Sequence, residues 1–196
     1  MENLPEDIFE QLKRATIAGD MEAAKAAAKS ALIAGISPVD ILIKGCCEGL
    51  REVGVIGENY KLRKYNIPDV CIAMEALKAA VEVIKPSQII GKVVIGTVEN
   101  DIHYIGKDFV AIMLEAVGFE VHDLGLAVSA EKFLQKACEI DADLIAASSG
   151  SYDSLRDQRA IVERLEATGI RSKVKYLVGG FSFPLLFSCF PRNAIS

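Results

Sequence analysis

The hydrophobic period of this chain changes once, near Lys85-Pro86-Ser87, and that change limits what each side can become. Before it, apolar residues recur at helical spacing. Ile8, Leu12 and Ala15 share a face, 21–33 is alanine-rich, and both 41–55 and 70–84 are apolar with few breakers. Four helices are expected. Gly19-Asp20 separates the first from the second, Ser37-Pro38 offers a cap and a first-turn proline to the third, and Pro68 stands near the start of the fourth. After Ser87, strand-like runs at 93–96, 120–124, 144–147 and 174–178 alternate with helical runs near 105–117, 130–140 and 153–168. That alternation predicts an α/β fold, a parallel sheet with helices on both faces. The expected domains are therefore 1–87, all helical, and 88–196, α/β.

Composition narrows the function classes. The chain has 196 residues, enough for one large domain or two small ones. With 22 basic against 27 acidic residues, a net charge of −5 and no Lys/Arg cluster, it lacks the basic footprint that neutralising phosphates requires, so no nucleic-acid partner is expected. No apolar stretch approaches the ~20 residues that span a bilayer, and the first residues are acidic where a secretory leader is basic, so no membrane role and a cytoplasmic location are expected. The five cysteines, Cys46, Cys47, Cys71, Cys138 and Cys189, form an odd set without a Cys-x-x-Cys pair. Neither a disulfide framework nor a zinc knuckle follows, and buried free thiols are expected.

The stretch 96–106 carries the chemistry. It places Asp101 two residues before His103 and Gly106 three after it. A β-branched run (Val93, Val94, Ile95) leads in and an amphipathic run (Phe109, Val110, Ile112, Met113, Val117) follows, so His103 is expected on the loop leaving a strand's carboxyl end, where open α/β sheets bind ligands. Asp101 would accept a hydrogen bond from one imidazole nitrogen, fixing the tautomer and making the other nitrogen a stronger metal donor. Gly106 would let a bulky ligand approach the backbone. His122 reads as a strand residue without a ligand role, and Ser129 as the cap of the helix containing 131–137.

This Asp-x-His-x-x-Gly stretch resembles the signature of the cobalamin-binding module shared by methionine synthase, several mutases and the corrinoid proteins of methyltransferase systems. Val121-His122-Asp123-Leu124-Gly125 resembles its second strand and turn, Ser148 the serine after the third strand, and Gly179-Gly180 the glycine pair after the fourth, all in the family's order and spacing. The resemblance implies a Rossmann-like (flavodoxin-like) cobalamin-binding domain over 88–196. It implies His103 as the lower axial ligand of cobalt with Asp101 and Gly106 beside it. The benzimidazole tail would be displaced into a slot lined by Ser148, Gly179 and Gly180. Upstream, Ile56-Gly57-Glu58-Asn59-Tyr60 and Tyr65-Asn66-Ile67-Pro68-Asp69-Val70 resemble the four-helix cap of the methyltransferase branch. There Tyr60 and Ile67 would cover the upper corrin face, a lid that slows loss of the reduced cofactor and must lift for a methyl donor. The chain departs from the pattern at Asn100 (often glycine), Tyr104 (often acidic), Gly150 (usually leucine) and Tyr152 (usually threonine), and the apolar run 181–191 replaces the expected last strand and helix.

That branch implies a methyl carrier, a subunit without catalytic residues of its own, whose cobalamin alternates between methylcobalamin and Co(I). Its partners would be a substrate-specific methyltransferase, a second methyltransferase with a tetrahydrofolate or thiol acceptor, and a reductive activating protein. Among methanol, methylamine and aryl methyl ether systems, overall likeness favours the O-demethylase type. The alternative is a cobalamin-dependent sensor, which would add an output segment such as a DNA-reading helix. A flavodoxin-like nucleotide-binding domain would need phosphate-binding glycines after the first strand, and Gly96 and Gly106 do not form such a loop.

Overall fold

The computed structural model describes residues 5–53 and 65–180. It divides into two units, residues 1–88 with 112–118, and residues 89–111 with 119–196.

The helical unit opens with α1 (Pro5–Ala18) and α2 (Met21–Ile33). Gly19 turns the chain between them at φ +68°, a left-handed conformation that glycine adopts without penalty, and Asp20 accepts a hydrogen bond from Ala23 N at 2.9 Å to cap α2. A continuous helical run follows: α3 (Pro38–Asp40), a π-wound segment (Ile41–Cys46) and α4 (Cys47–Val53). Ser37 Oγ accepts Asp40 N at 3.1 Å, with Pro38 in the first turn. The third helix thus starts earlier than the apolar pattern suggested. It also carries a wide turn in which Cys47 N–H reaches back to Leu42 O. The last helix, α5 (Ile67–Ile84), begins with Asn66 N donating to Asp69 Oδ2 at 2.7 Å and with Pro68 in its first turn.

Small residues let these helices approach closely. Ala24, Ala27, Ala28 and Ala31 of α2 and Ala73, Ala76, Leu77 and Ala80 of α5 are buried, and the two helices pack together. Gly45 lies so near α1 that a Cβ there would sit 2.8 Å from both Cβ and Cδ1 of the fully buried Leu12. Gly45→Ala is therefore expected to overpack the site at about 1–3 kcal/mol, lowering Tm by roughly 2–10 °C for a chain of this size. An unshifted thermal melt would contradict the close fit. Cys46 and Cys47 are buried free thiols, pushed up to about 12 and about 11 by desolvation. Cys138, by contrast, is exposed, because it lies on the outer face of its helix.

The elements from residue 91 onward are β1 (Gly91–Thr97), α6 (Ile105–Ala116), β2 (Phe119–Asp123), α7 (Ala130–Ile140), β3 (Leu144–Ser148), α8 (Leu155–Ala167) and β4 (Lys175–Gly179). All strand pairs are parallel, in the order β2-β1-β3-β4. Parallel strands need long crossovers, and the helices supply them. The core gathers Val94, Ile145 and Ala147 of the sheet with Phe133 and Leu134 of α7 and Ile161 and Leu165 of α8. Each large side chain buried there contributes on the order of 1.5–3 kcal/mol. Ser129 occupies the cap position of α7 with extended backbone, but its side chain makes no capping bond, which departs from its expected role. The register aligns Thr97, Ser148 and Gly179 in one row at the strands' carboxyl ends. Among the described residues, no helix is long and apolar enough to cross a membrane.

Candidate functional site

β1 is flanked by β2 on one side and β3 on the other, so the topology switches between β1 and β3, where open α/β sheets form their ligand crevice, and here hydrogen bonds join the two loops at the carboxyl ends. The loop after β1 is pinned there by backbone chemistry. Thr97, fully buried, donates from Oγ1 to Asp101 O at 2.6 Å and accepts Ala127 N at 2.9 Å, while Val98 N donates to Ser148 O at 2.9 Å. Asn100 turns the chain at φ +65°. Asparagine is among the side chains best tolerated in that left-handed region, which explains how it stands where glycine is common in the resembled pattern. Its Nδ2 donates to Asp157 Oδ2 at 3.2 Å.

Asp101 is the hub of this crevice. Its buried carboxylate accepts His103 N at 2.8 Å and faces His103 Nδ1 at 3.2 Å through Oδ1, and accepts Gly150 N at 2.6 Å and Ser154 Oγ at 2.7 Å through Oδ2. Burial alone would raise its pKa. The bonds from Ser154, His103 and Gly150 outweigh it and hold the carboxyl below its ordinary value. An ionised Asp101 is an acceptor only, so His103 Nδ1 carries the proton toward it and Nε2 is left with its lone pair. Nε2 makes no hydrogen bond among the described residues, and the His103 side chain is 64% exposed.

Ser154 extends the hub outward. Its Oγ, 2.7 Å from Ser149 Oγ and 2.8 Å from Ser151 Oγ, can accept from either while donating to Asp101. Gly150 is fixed by sterics: a Cβ there would lie 2.4 Å from His103 Cβ and 2.5 Å from Cγ. The imidazole can rest on this loop only because residue 150 has no side chain.

The other expected site residues fall as follows. Ser148 neighbours Gly179 across β3 and β4, and its hydroxyl makes no hydrogen bond among the described residues. A Cβ on Gly106 or Gly179 would meet nothing within 4 Å among the described residues. Gly180, at φ +131°, would place a Cβ 1.7 Å from Ser149 O and admits no side chain. Tyr152 is 61% exposed, as are Ile102 at 70% and Leu126 at 45%, one on each loop leaving β3, β1 and β2. Ile67, exposed in the first turn of α5, belongs to the other unit, and Tyr60 lies outside the described residues. His122 Nε2 is 2.6 Å from Glu120 Oε1, on β2.

Sequence reading missed the contributions of Thr97, Gly150, Ser154 and Lys107. Lys107 is buried in the first turn of α6, paired with Asp108 at 2.5 Å and with Asp123, which also accepts Gly125 N at 2.8 Å and so secures the turn after β2. The run of serines at 148, 149, 151 and 154 was the one local sign of the hydroxyl cluster.

No group of three or more His, Cys, Asp or Glu able to hold a metal ion occurs among the described residues. The site therefore offers one oriented imidazole nitrogen as a potential metal ligand, held by the buried Asp101.

Two family models, each described as a B12 binding domain, match residues 8–85 and 91–185. "Trimethylamine corrinoid protein 1" of Methanosarcina mazei is 42% identical over 183 residues, covering 89% of this chain and 83% of that protein. "Dimethylamine corrinoid protein 1" of Methanosarcina acetivorans is 38% identical over 182 residues, covering 89% and 84%. Among solved structures, the monomethylamine corrinoid protein of Methanosarcina barkeri is 28% identical with a TM-score of 0.66, covering 90% of this chain and 85% of that one.

Proposed function

This chain belongs to the B12-binding corrinoid proteins of methyltransferase systems, with cobalamin as its cofactor, and from that premise we propose that it carries methyl groups with His103 as the lower axial ligand of cobalt. The observation that supports this most is the anchored imidazole: Nδ1 faces the buried Asp101 at 3.2 Å while Nε2 is unpartnered and exposed. When bound, cobalamin supplies a cobalt centre that takes a methyl group from one partner enzyme and yields it to another.

The chain's own groups do the rest. Asp101 holds the Nδ1 proton and so keeps the Nε2 lone pair directed outward. The carboxylate of Asp101 is itself steadied by Ser154 and Gly150, which keeps the imidazole's orientation fixed. Ser148, Gly179 and Gly180 would hold the cofactor's nucleotide tail, and Gly106, Ile102, Leu126 and Tyr152 would contact its macrocycle. Residues 1–87 would serve as a helical cap domain and 88–196 as the carrier module. Among the described residues no cluster of metal ligands suits activation of a methyl donor, so donor chemistry is assigned to a partner methyltransferase, and a second one would pass the methyl group to a thiol or tetrahydrofolate.

The donor we assign is a methylamine, in place of the aryl methyl ether that overall likeness favoured, because the relatives carry the names trimethylamine and dimethylamine corrinoid protein. Nothing among the described residues favours the sensor alternative. The test loads the protein with hydroxocobalamin, reduces it, and supplies trimethylamine with a trimethylamine methyltransferase or an aryl methyl ether with an O-demethylase. Methylation, followed in the visible spectrum, is expected with the amine system. Methylation with the ether system alone would overturn the donor assignment.

A further inference from the structure

Gly150, on the loop after β3, stands where the resembled pattern usually carries leucine, and its surroundings give the reason. The three atoms nearest to a Cβ built there all belong to His103: Cβ at 2.4 Å, Cγ at 2.5 Å and Nδ1 at 2.7 Å. Its φ is not positive, so the backbone would accept a side chain, and the contact with His103 is what calls for glycine.

Neither side of that contact can easily give way. Ser149, buried, donates from N to Gly179 O at 2.9 Å, its carbonyl lies against Gly180 where no Cβ fits, and Gly150 N donates to Asp101 Oδ2 at 2.6 Å. Opposite, the main chain places His103 Cβ, and His103 N donates to Asp101 Oδ1 at 2.8 Å. Turning χ1 would move Cγ and Nδ1 away but would leave the Cβ contact, far inside the ~3.5 Å at which carbon atoms rest. A side chain at 150 therefore has to part the two loops. The Asp101 carboxylate spans both, so parting them pulls it from Gly150 N or from the imidazole.

We propose that Gly150 is a positioning residue for cobalt ligation: the place left by its missing side chain is the seat of the axial imidazole, and filling that seat takes His103 out of line. This rests on the carrier reading.

The experiment compares the parent, Gly150→Ala, His103→Gly and the double variant as full chains, by titration with hydroxocobalamin, visible spectra and thermal melts. Gly150→Ala is expected to weaken cobalamin binding by roughly 10- to 100-fold and to diminish the histidine-ligated spectrum at saturation. The same substitution lowers the melt when His103 is present, yet leaves it within about a degree in the His103→Gly background, where the contact is gone. An empty seat also takes a free imidazole. His103→Gly loaded with tailless cobinamide is expected to gain a nitrogen-split Co(II) resonance at about tenfold less added imidazole than the double variant needs. If Gly150→Ala fails to fold, this comparison decides. Parent-like affinity and spectrum in Gly150→Ala, or equal imidazole requirements in the two His103→Gly proteins, would overturn the role of Gly150 and leave His103 as the ligand. Absence of histidine ligation in the loaded parent would overturn the carrier reading as well.

Discussion

Replacing His103 with alanine is expected to weaken cobalamin binding by roughly 100-fold or more, since changes in the groups that merely support a metal ligand already cost 10- to 100-fold. The same substitution should leave the thermal melt unchanged within a degree or two. The reason is the separation of duties in the loop: the imidazole is 64% exposed, whereas the loop itself is held by Thr97 Oγ1 on Asp101 O, by Val98 N on Ser148 O, and by His103 N on Asp101 Oδ1, which alanine keeps. Affinity and stability therefore part company at this position. Titration with hydroxocobalamin beside a calorimetric melt reads both, and a variant that retained a histidine-ligated spectrum would remove His103 from its assigned role.

Asp101→Ala is expected to do the opposite in balance. It strips the acceptor from Gly150 N, His103 N, His103 Nδ1 and Ser154 Oγ at once, in a site already closed to solvent. Unpaired buried donors cost about 1–3 kcal/mol each and are not additive, so a loss of about 2–4 kcal/mol is expected. At this chain length that lowers Tm by roughly 5–15 °C. Cobalamin affinity should fall by about 10- to 100-fold as well, because the imidazole loses its tautomeric lock and its orientation. A melt within a degree of the parent would mean that the four-bond hub is not formed in solution, and the anchoring of the imidazole built on it would fail with it.

The two effects mirror what could be read from the chain. The Asp101–His103 pair and its place after a strand were legible because they depend on residues adjacent in sequence and on a period-2 run handing over to a 3.6 period. The hub was not. Gly150 and Ser154 reach Asp101 across 49 and 53 residues, a proximity that the pairing of β1 with β3 creates and that no local spacing encodes. Lys107 likewise reads as a surface lysine on α6 until β2 brings Asp123 to it. In the helical unit, the four helical runs followed from apolar spacing and their punctuation from Gly19-Asp20, Ser37-Pro38 and Pro68, but the π-wound turn at Ile41–Cys46 carries no sequence mark. The donor type was illegible for a different reason: no motif in the sequence reads the methyl donor, so likeness among corrinoid systems was the guide, and it pointed to ethers where the relatives carry methylamine names.

The most direct test of the central claim is the electron paramagnetic resonance spectrum of the Co(II) form bound to protein labelled with 15N-histidine. A 14N axial ligand splits each cobalt line into a triplet and 15N into a doublet, while the cofactor's own unlabelled base would keep the triplet. The chain has two histidines, so the labelled His122→Ala variant assigns the signal. The account predicts doublets in the labelled parent and in His122→Ala. Triplets in the labelled parent would show that the tail, and not His103, holds the cobalt.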